Sequence, residues 1–170
     1  MKYLAHTSQE IYTAIKYQMD YINKIIGKTI KKAYENWKPN SLVRCYHSCG
    51  AFDGTKMIEF AQNNPIKMST KAFRIGKRFN IPKYLEYPYV HSESHLISKL
   101  LDRYNSIDPN WSVCVLRINR QGLILGSKPC VNCSKLLSAV GLNEVYYSDD
   151  SGNFVCPTKT IKIELLRSIE

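Results

Sequence analysis

The sequence predicts an α/β domain of three layers, with a central mixed sheet and helices on both faces. Three observations predict it. Segments with apolar residues at three- and four-residue steps alternate with short runs rich in β-branched and aromatic residues. Asp53-Gly54-Thr55 separates two of those runs as a hairpin turn does. Trp111 to Ile118, with Val113, Val115 and Leu116, reads as a central strand buried on both faces. With 170 residues, the chain reads as a single domain, 1–170, long enough to bury a core.

In chain order, residues 1–40 are dominated by one helix from Ser8 to about Trp37. Its apolar stripe is Ile11, Ile15, Met19, Ile22, Ile26 and Ile30, and Lys38-Pro39-Asn40 stops it. Leu42 to Phe52 and Met57 to Ala61 form the hairpin, closed by Gln62-Asn63-Asn64-Pro65. Within its first strand Cys45, His47 and Cys49 alternate and share a face. They read as packed core residues or as half of a second metal site. Residues 66–90 fit neither periodicity and read as a basic insertion within a core of 41–156. Lys67, Lys71, Arg74, Lys77, Arg78 and Lys83 precede Tyr84, Tyr87 and Tyr89. Cations among aromatic rings suit a single-stranded nucleic acid, so Lys71, Arg74, Lys77 and Arg78 are candidate contacts. An ordinary solvated loop is the competing reading.

His91 to Ile107 follows as a second helix, and Asn119-Arg120-Gln121-Gly122 turns the chain after the central strand. A third helix runs from Pro129 to Val140, with Gly141 as its C-cap. Val145-Tyr146-Tyr147 and Phe154-Val155-Cys156 are strands. Only 149–153 joins them, too short for a helix, so this pair is expected to be antiparallel. Thr160 to Leu166 packs as a further strand or helical turn.

Composition narrows the function classes. A hydrophobic content of 44% argues against disorder, and no apolar run reaches membrane-span length. The N-terminus lacks a signal peptide's apolar centre, which leads to the expectation of an intracellular protein without a membrane partner. In that setting six cysteines read as thiols or metal ligands. The net charge of +10 permits a polyanionic partner without requiring one.

The chemistry concentrates in His91-Ser92-Glu93 and Pro129-Cys130-Val131-Asn132-Cys133. Cys130 and Cys133, at i and i+3, share a helical face in a first turn whose dipole favours thiolate. His91 and Glu93 also open a helix. Three ligands, His91, Cys130 and Cys133, leave a fourth position open, as in catalytic zinc sites, and Glu93 remains free to move protons. A rival set adds His95, four residues after His91, and closes the site as a structural one.

These residues make the chain resemble the cytidine deaminase superfamily, whose zinc-dependent members carry the pattern H-x-E…P-C-x-x-C. The likeness covers about residues 41 to 156. It implies a cytidine deaminase-like fold, Zn2+ held by His91, Cys130 and Cys133, and Glu93 as proton shuttle. It further implies that Asn63 or Asn64, of which Asn64 directly precedes Pro65, contacts the substrate. The implied reaction is hydrolytic deamination of a nucleobase, cytosine to uracil favoured over adenine, in a nucleoside, a nucleotide or a single-stranded nucleic acid. An antiparallel last pair of strands resembles the free-cytidine deaminases and several bacterial toxin deaminases. Free-nucleoside members build pockets from neighbouring subunits, so the resemblance admits a homo-oligomer. Ser92 stands where the family usually has Ala or Val, and Lys128 where some branches have an acid. The alternative is a catalytically silent, deaminase-like zinc protein acting as a nucleic-acid-binding or structural component.

Overall fold

A computed structural model of the chain describes residues 8–38, 44–86, 88–156 and 161–163. The first helix is α1, Ser8–Asn36, and it buries Ile22, Ile25, Ile26 and Ala33. The expected stop at Pro39-Asn40 and the start of the first strand at Leu42 lie outside the described residues. Strands β1, Cys45–Asp53, and β2, Lys56–Gln62, pair antiparallel. Asp53 faces Lys56 across the turn, where Gly54 takes a φ of 55°, a conformation glycine adopts without cost.

The stretch expected to be an aperiodic insertion is folded. It comprises β3, Asn64–Met68; α2, Thr70–Arg78; α3, Pro82–Glu86; and β4, Tyr89–Val90. Pro65 does not end the chain's extended path, because β3 and β4 form a separate two-stranded ribbon in which a proline costs no central ladder bond. Ser69 caps α2, accepting from the N–H groups of Lys71 and Ala72 at 3.2 and 3.3 Å. At its other end the Ile81 N–H reaches the Gly76 carbonyl at 2.9 Å and Asn80 takes a left-handed φ of 52°, a Schellman ending. Gly76 is required here: a Cβ on it would lie 2.8 Å from Cβ of Tyr84.

Helix α4, Ser92–Arg103, is shorter than expected, because the backbone extends at Tyr104. Then come β5, Ser112–Asn119; β6, Ile124–Leu125; α5, Val131–Ala139; β7, Glu144–Ser148; β8, Phe154–Cys156; and β9, Ile161–Ile163. The main sheet has the order β2-β1-β5-β7-β8-β9, with β6 also pairing with β5. Only β5–β7 is parallel among these pairs, and β7–β8 is antiparallel as its short connection requires. The protein is thus α/β with a mixed sheet between helices.

Side chains alternate along β5 to build two cores. Val113 and Val115 pack with Leu96, Ile97 and Leu100 of α4, Leu136 and Leu137 of α5, and Ile75 and Tyr84 of the folded insertion. Cys114, Leu116 and Ile118 pack on the opposite face with α1, Tyr146 and Phe154. The site therefore lies on the α4–α5 side. No helix among the described residues is long and apolar enough to cross a membrane.

Candidate metal centre

Two helix N-termini supply the centre. His91 is the N-cap of α4 and Cys130 the N-cap of α5, both with extended backbone, so their side chains project from the ends of the helices. Cys133 follows one turn into α5 and is fully buried. Nδ1 of His91 lies 3.5 Å from Sγ of Cys133 and 3.9 Å from Sγ of Cys130. The ligand atoms of the three residues fall within 4.8 Å of one another, so the group can hold a metal ion.

The segment carrying Cys130 is anchored by two buried serines. Ser127 donates its hydroxyl to the Val115 carbonyl at 2.7 Å and accepts from the Ser148 N–H at 2.8 Å. Its own N–H bonds the Ser148 carbonyl at 2.8 Å, while the Ser148 hydroxyl donates to Leu125. The cysteine's approach is thereby fixed to β5 and β7.

Glu93 is 5% exposed and does not belong to the ligand group. Burial raises its carboxyl above the ordinary range, against the bond it accepts from the Ser92 hydroxyl at 2.9 Å. Hydrogen bonds from the Cys133 thiol and then from the His91 ring push the Cys130 thiol down to about 3. The same Cys130–Cys133 bond, with burial, raises Cys133 well above a free thiol. The Cys130 thiolate in turn raises His91. A dication entering the group displaces the protons that these three side chains share.

A cleft of about 220 Å³ opens on the centre, lined by His47, Asn63, Tyr89, His91, Glu93 and Lys128 among others. Asn63 accepts from the His47 N–H at 3.0 Å and donates its own N–H to the His47 carbonyl at 2.9 Å. With its oxygen so engaged, its amide N–H groups remain for the cleft. Asn64 and His95 line a neighbouring cleft instead, and Nδ1 of His95 sits 3.0 Å from the Gln62 carbonyl. The described residues contain no closed His91–His95 ligand pair.

Sequence spacing did not bring two neighbours to the centre. His47, expected with Cys45 and Cys49 in the core or in half of a second metal site, lines the cleft, while Cys49 is buried and Cys45 accepts from Arg117 at 3.2 Å. Burial, then Arg117, pushes the His47 imidazole down to about 4, so it is neutral near pH 7. The Tyr84 hydroxyl lies 3.0 Å from Sγ of Cys133, and burial, then that sulfur, raises its pKa. Lys71, Arg74 and Arg78 line a third groove between α2 and α4, away from the ligands.

No protein-family model, curated protein or solved structure matches the chain.

Proposed function

We propose that the protein is a zinc-dependent nucleobase deaminase resembling the cytidine deaminase superfamily, with cytosine favoured over adenine. The observation that carries this reading is the carboxylate of Glu93, buried beside three metal-ligating side chains and not needed as a ligand. A structural metal site has no use for an unligated buried acid at its edge, and burying one costs free energy.

The donor set fits zinc. Bond lengths of about 2.0–2.1 Å to nitrogen and 2.3 Å to sulfur give a tetrahedral N···S edge of about 3.6 Å, against 3.5 and 3.9 Å between His91 and the two cysteines. When bound there, zinc supplies a Lewis acid that makes a water acidic near neutral pH. The chain's own part follows from its side chains. Glu93 takes a proton from the attacking water and returns protons to the ring nitrogen and the departing amine. Water oxygen ends on the base carbon and ammonia leaves, so the reaction balances without an oxidant. Asn63 offers its amide N–H groups to the substrate's oxygens, and the Tyr84 hydroxyl supports the Cys133 sulfur. The antiparallel β7–β8 pair is the arrangement by which the chain resembles the free-cytidine deaminases and several bacterial toxin deaminases.

The test measures metal content and conversion of cytosine to uracil on cytidine, deoxycytidine, deoxycytidylate, single-stranded DNA and RNA. About one zinc per chain is expected, and Glu93→Gln should keep it while losing at least about 100-fold in turnover. Bound zinc with no turnover on any substrate would instead identify a silent, structural or nucleic-acid-binding protein.

A further inference from the structure

Three clefts around α4 are linked in series by shared lining residues. The first opens on His91 and Glu93. The second, also about 220 Å³, shares Val90 with the first and is lined by Asn64, Met68, Ser94 and His95 among others. The third shares Lys71 and Ser98 with the second and holds Arg74 and Arg78. Helix α4 passes all three in order: Glu93 in the first, Ser94, His95 and Ser98 in the second, Ser98 and Asp102 in the third. From Glu93 to Asp102 the helix rises about 14 Å and makes about two and a half turns, so a strand joining the clefts passes from the helix's N-terminal end onto the face of Ser94, Ser98 and Asp102. At about 3.4 Å per stacked nucleotide, that length takes several nucleotides of one strand, not a single nucleoside.

The chemistry changes along the series. The first cleft has the ligands and the acid. The second is lined by hydrogen-bonding side chains, with Lys71 at its far end. The third is cationic: Lys71, Arg74 and Arg78 fall at i, i+3 and i+7 on one face of α2. Asp102 pairs with Lys71 at 2.5 Å, and Arg78 lies 5.3 Å over the Phe79 ring, while Arg74 has no acidic partner among the described residues. A separate observation concerns the rims. Tyr89 and Met68 are cross-strand partners on the β3–β4 ribbon, exposed by 41% and 65%, and they edge the first and second clefts respectively. Exposed flat or polarisable side chains beside polar clefts are surfaces on which bases stack.

We infer that the substrate is a single-stranded polynucleotide lying along these three clefts. The reacting base sits at the metal centre, a neighbouring nucleotide against Met68, Asn64 and His95, and a backbone phosphate at Arg74 and Arg78. The assignment of the first cleft rests on the deaminase reading; the strand's path does not.

Direct binding tests it without turnover. The probes are fluorescent single strands of about a dozen nucleotides, as DNA and as RNA, titrated from about 50 to 200 mM salt. Wild type should bind with affinity that falls steeply as salt rises. Arg74→Gln with Arg78→Gln should weaken binding about tenfold or more and flatten the log–log salt slope by about 0.7, the value for one lost phosphate contact. Tyr89→Ala should weaken binding about tenfold at every salt concentration, and Tyr89→Phe should restore it. These positions are exposed, and unchanged melting temperatures will show that the variants fold. DNA and RNA bound alike, or one preferred, both keep the path and say which sugar it accepts. No strand binding by wild type, unchanged binding by the arginine variant, or an equal loss for free cytidylate would overturn it. A protein that binds the strand this way but deaminates nothing leaves the path standing and rejects the deaminase reading. Deamination of free cytidine without strand binding does the reverse.

Discussion

The hydroxyl of Ser92, wholly buried, donates a hydrogen bond of 2.9 Å to Oε2 of Glu93. The small residue between the histidine and the acid is therefore also the acid's hydrogen-bond partner. A hydrogen bond from a buried neighbour restrains the carboxylate, as the role of proton shuttle proposed for Glu93 requires. Ser92→Ala should retain the metal and the substrate KM but lower kcat about tenfold, the size of a hydrogen bond to a charged group. Steady-state kinetics with metal analysis on the same preparation checks it. An unchanged kcat would mean that Ser92 only fills space.

The Tyr84–Cys133 contact of 3.0 Å predicts an effect on metal affinity. Tyr84→Phe keeps the buried ring and removes the hydroxyl. Outer hydrogen bonds to ligands are worth about 10–100-fold in affinity, and zinc should be lost to a competing chelator dye by that margin. Melting temperature in saturating zinc should change little.

Ser127 joins β5, β7 and the approach to Cys130. Ser127→Ala leaves the buried Ser148 N–H without its hydroxyl acceptor and should cost about 1–3 kcal/mol. Denaturant unfolding of the metal-loaded protein measures it.

The neutral His47 imidazole gives a pH dependence. Its folded value, about 4, lies below the ordinary 6.5. As pH falls from 6.5 toward 4 the unfolded chain takes up a proton that the folded protein refuses, so stability falls with pH in that window. The groups facing the ring are Arg117, His91 and Cys130. His47→Asn removes this contribution, and its stability should fall less steeply than wild type between pH 6.5 and 4. Identical slopes would place the proton uptake elsewhere.

The metal-ligand group was legible because each half is local. Cys130 and Cys133 are one helical turn apart and the His91-Ser92-Glu93 tripeptide opens the preceding helix, so spacing shows each half and the resemblance to the H-x-E…P-C-x-x-C pattern joins them. The hairpin was legible from Asp53-Gly54, and β5 from its unbroken apolar run. Tyr84 and His47 were not, because a side chain's approach to a distant sulfur or cleft leaves no periodic trace. In residues 66–90 the buried apolar side chains of α2 are only Ala72 and Ile75, with Phe73 exposed and the half-buried Phe79 just past its end, and cations dilute the pattern. Its Ser69 cap and Asn80 ending were the readable marks. The choice between Asn63 and Asn64 turned on one residue of register, and neighbours on an extended chain face opposite ways.

Gly76 allows α2 to press against Tyr84, and Tyr84 reaches Cys133. The segment between the hairpin and α4 is thus not an ornament that could be trimmed to reach a minimal domain. A shortened chain joining 64 to 89 would lose Ile75, Ile81 and Tyr84 from the core and, with Tyr84, the hydroxyl beside the buried sulfur of Cys133. The segment and the ligand group are thus one packed unit, and shortening the first removes the wall behind the second.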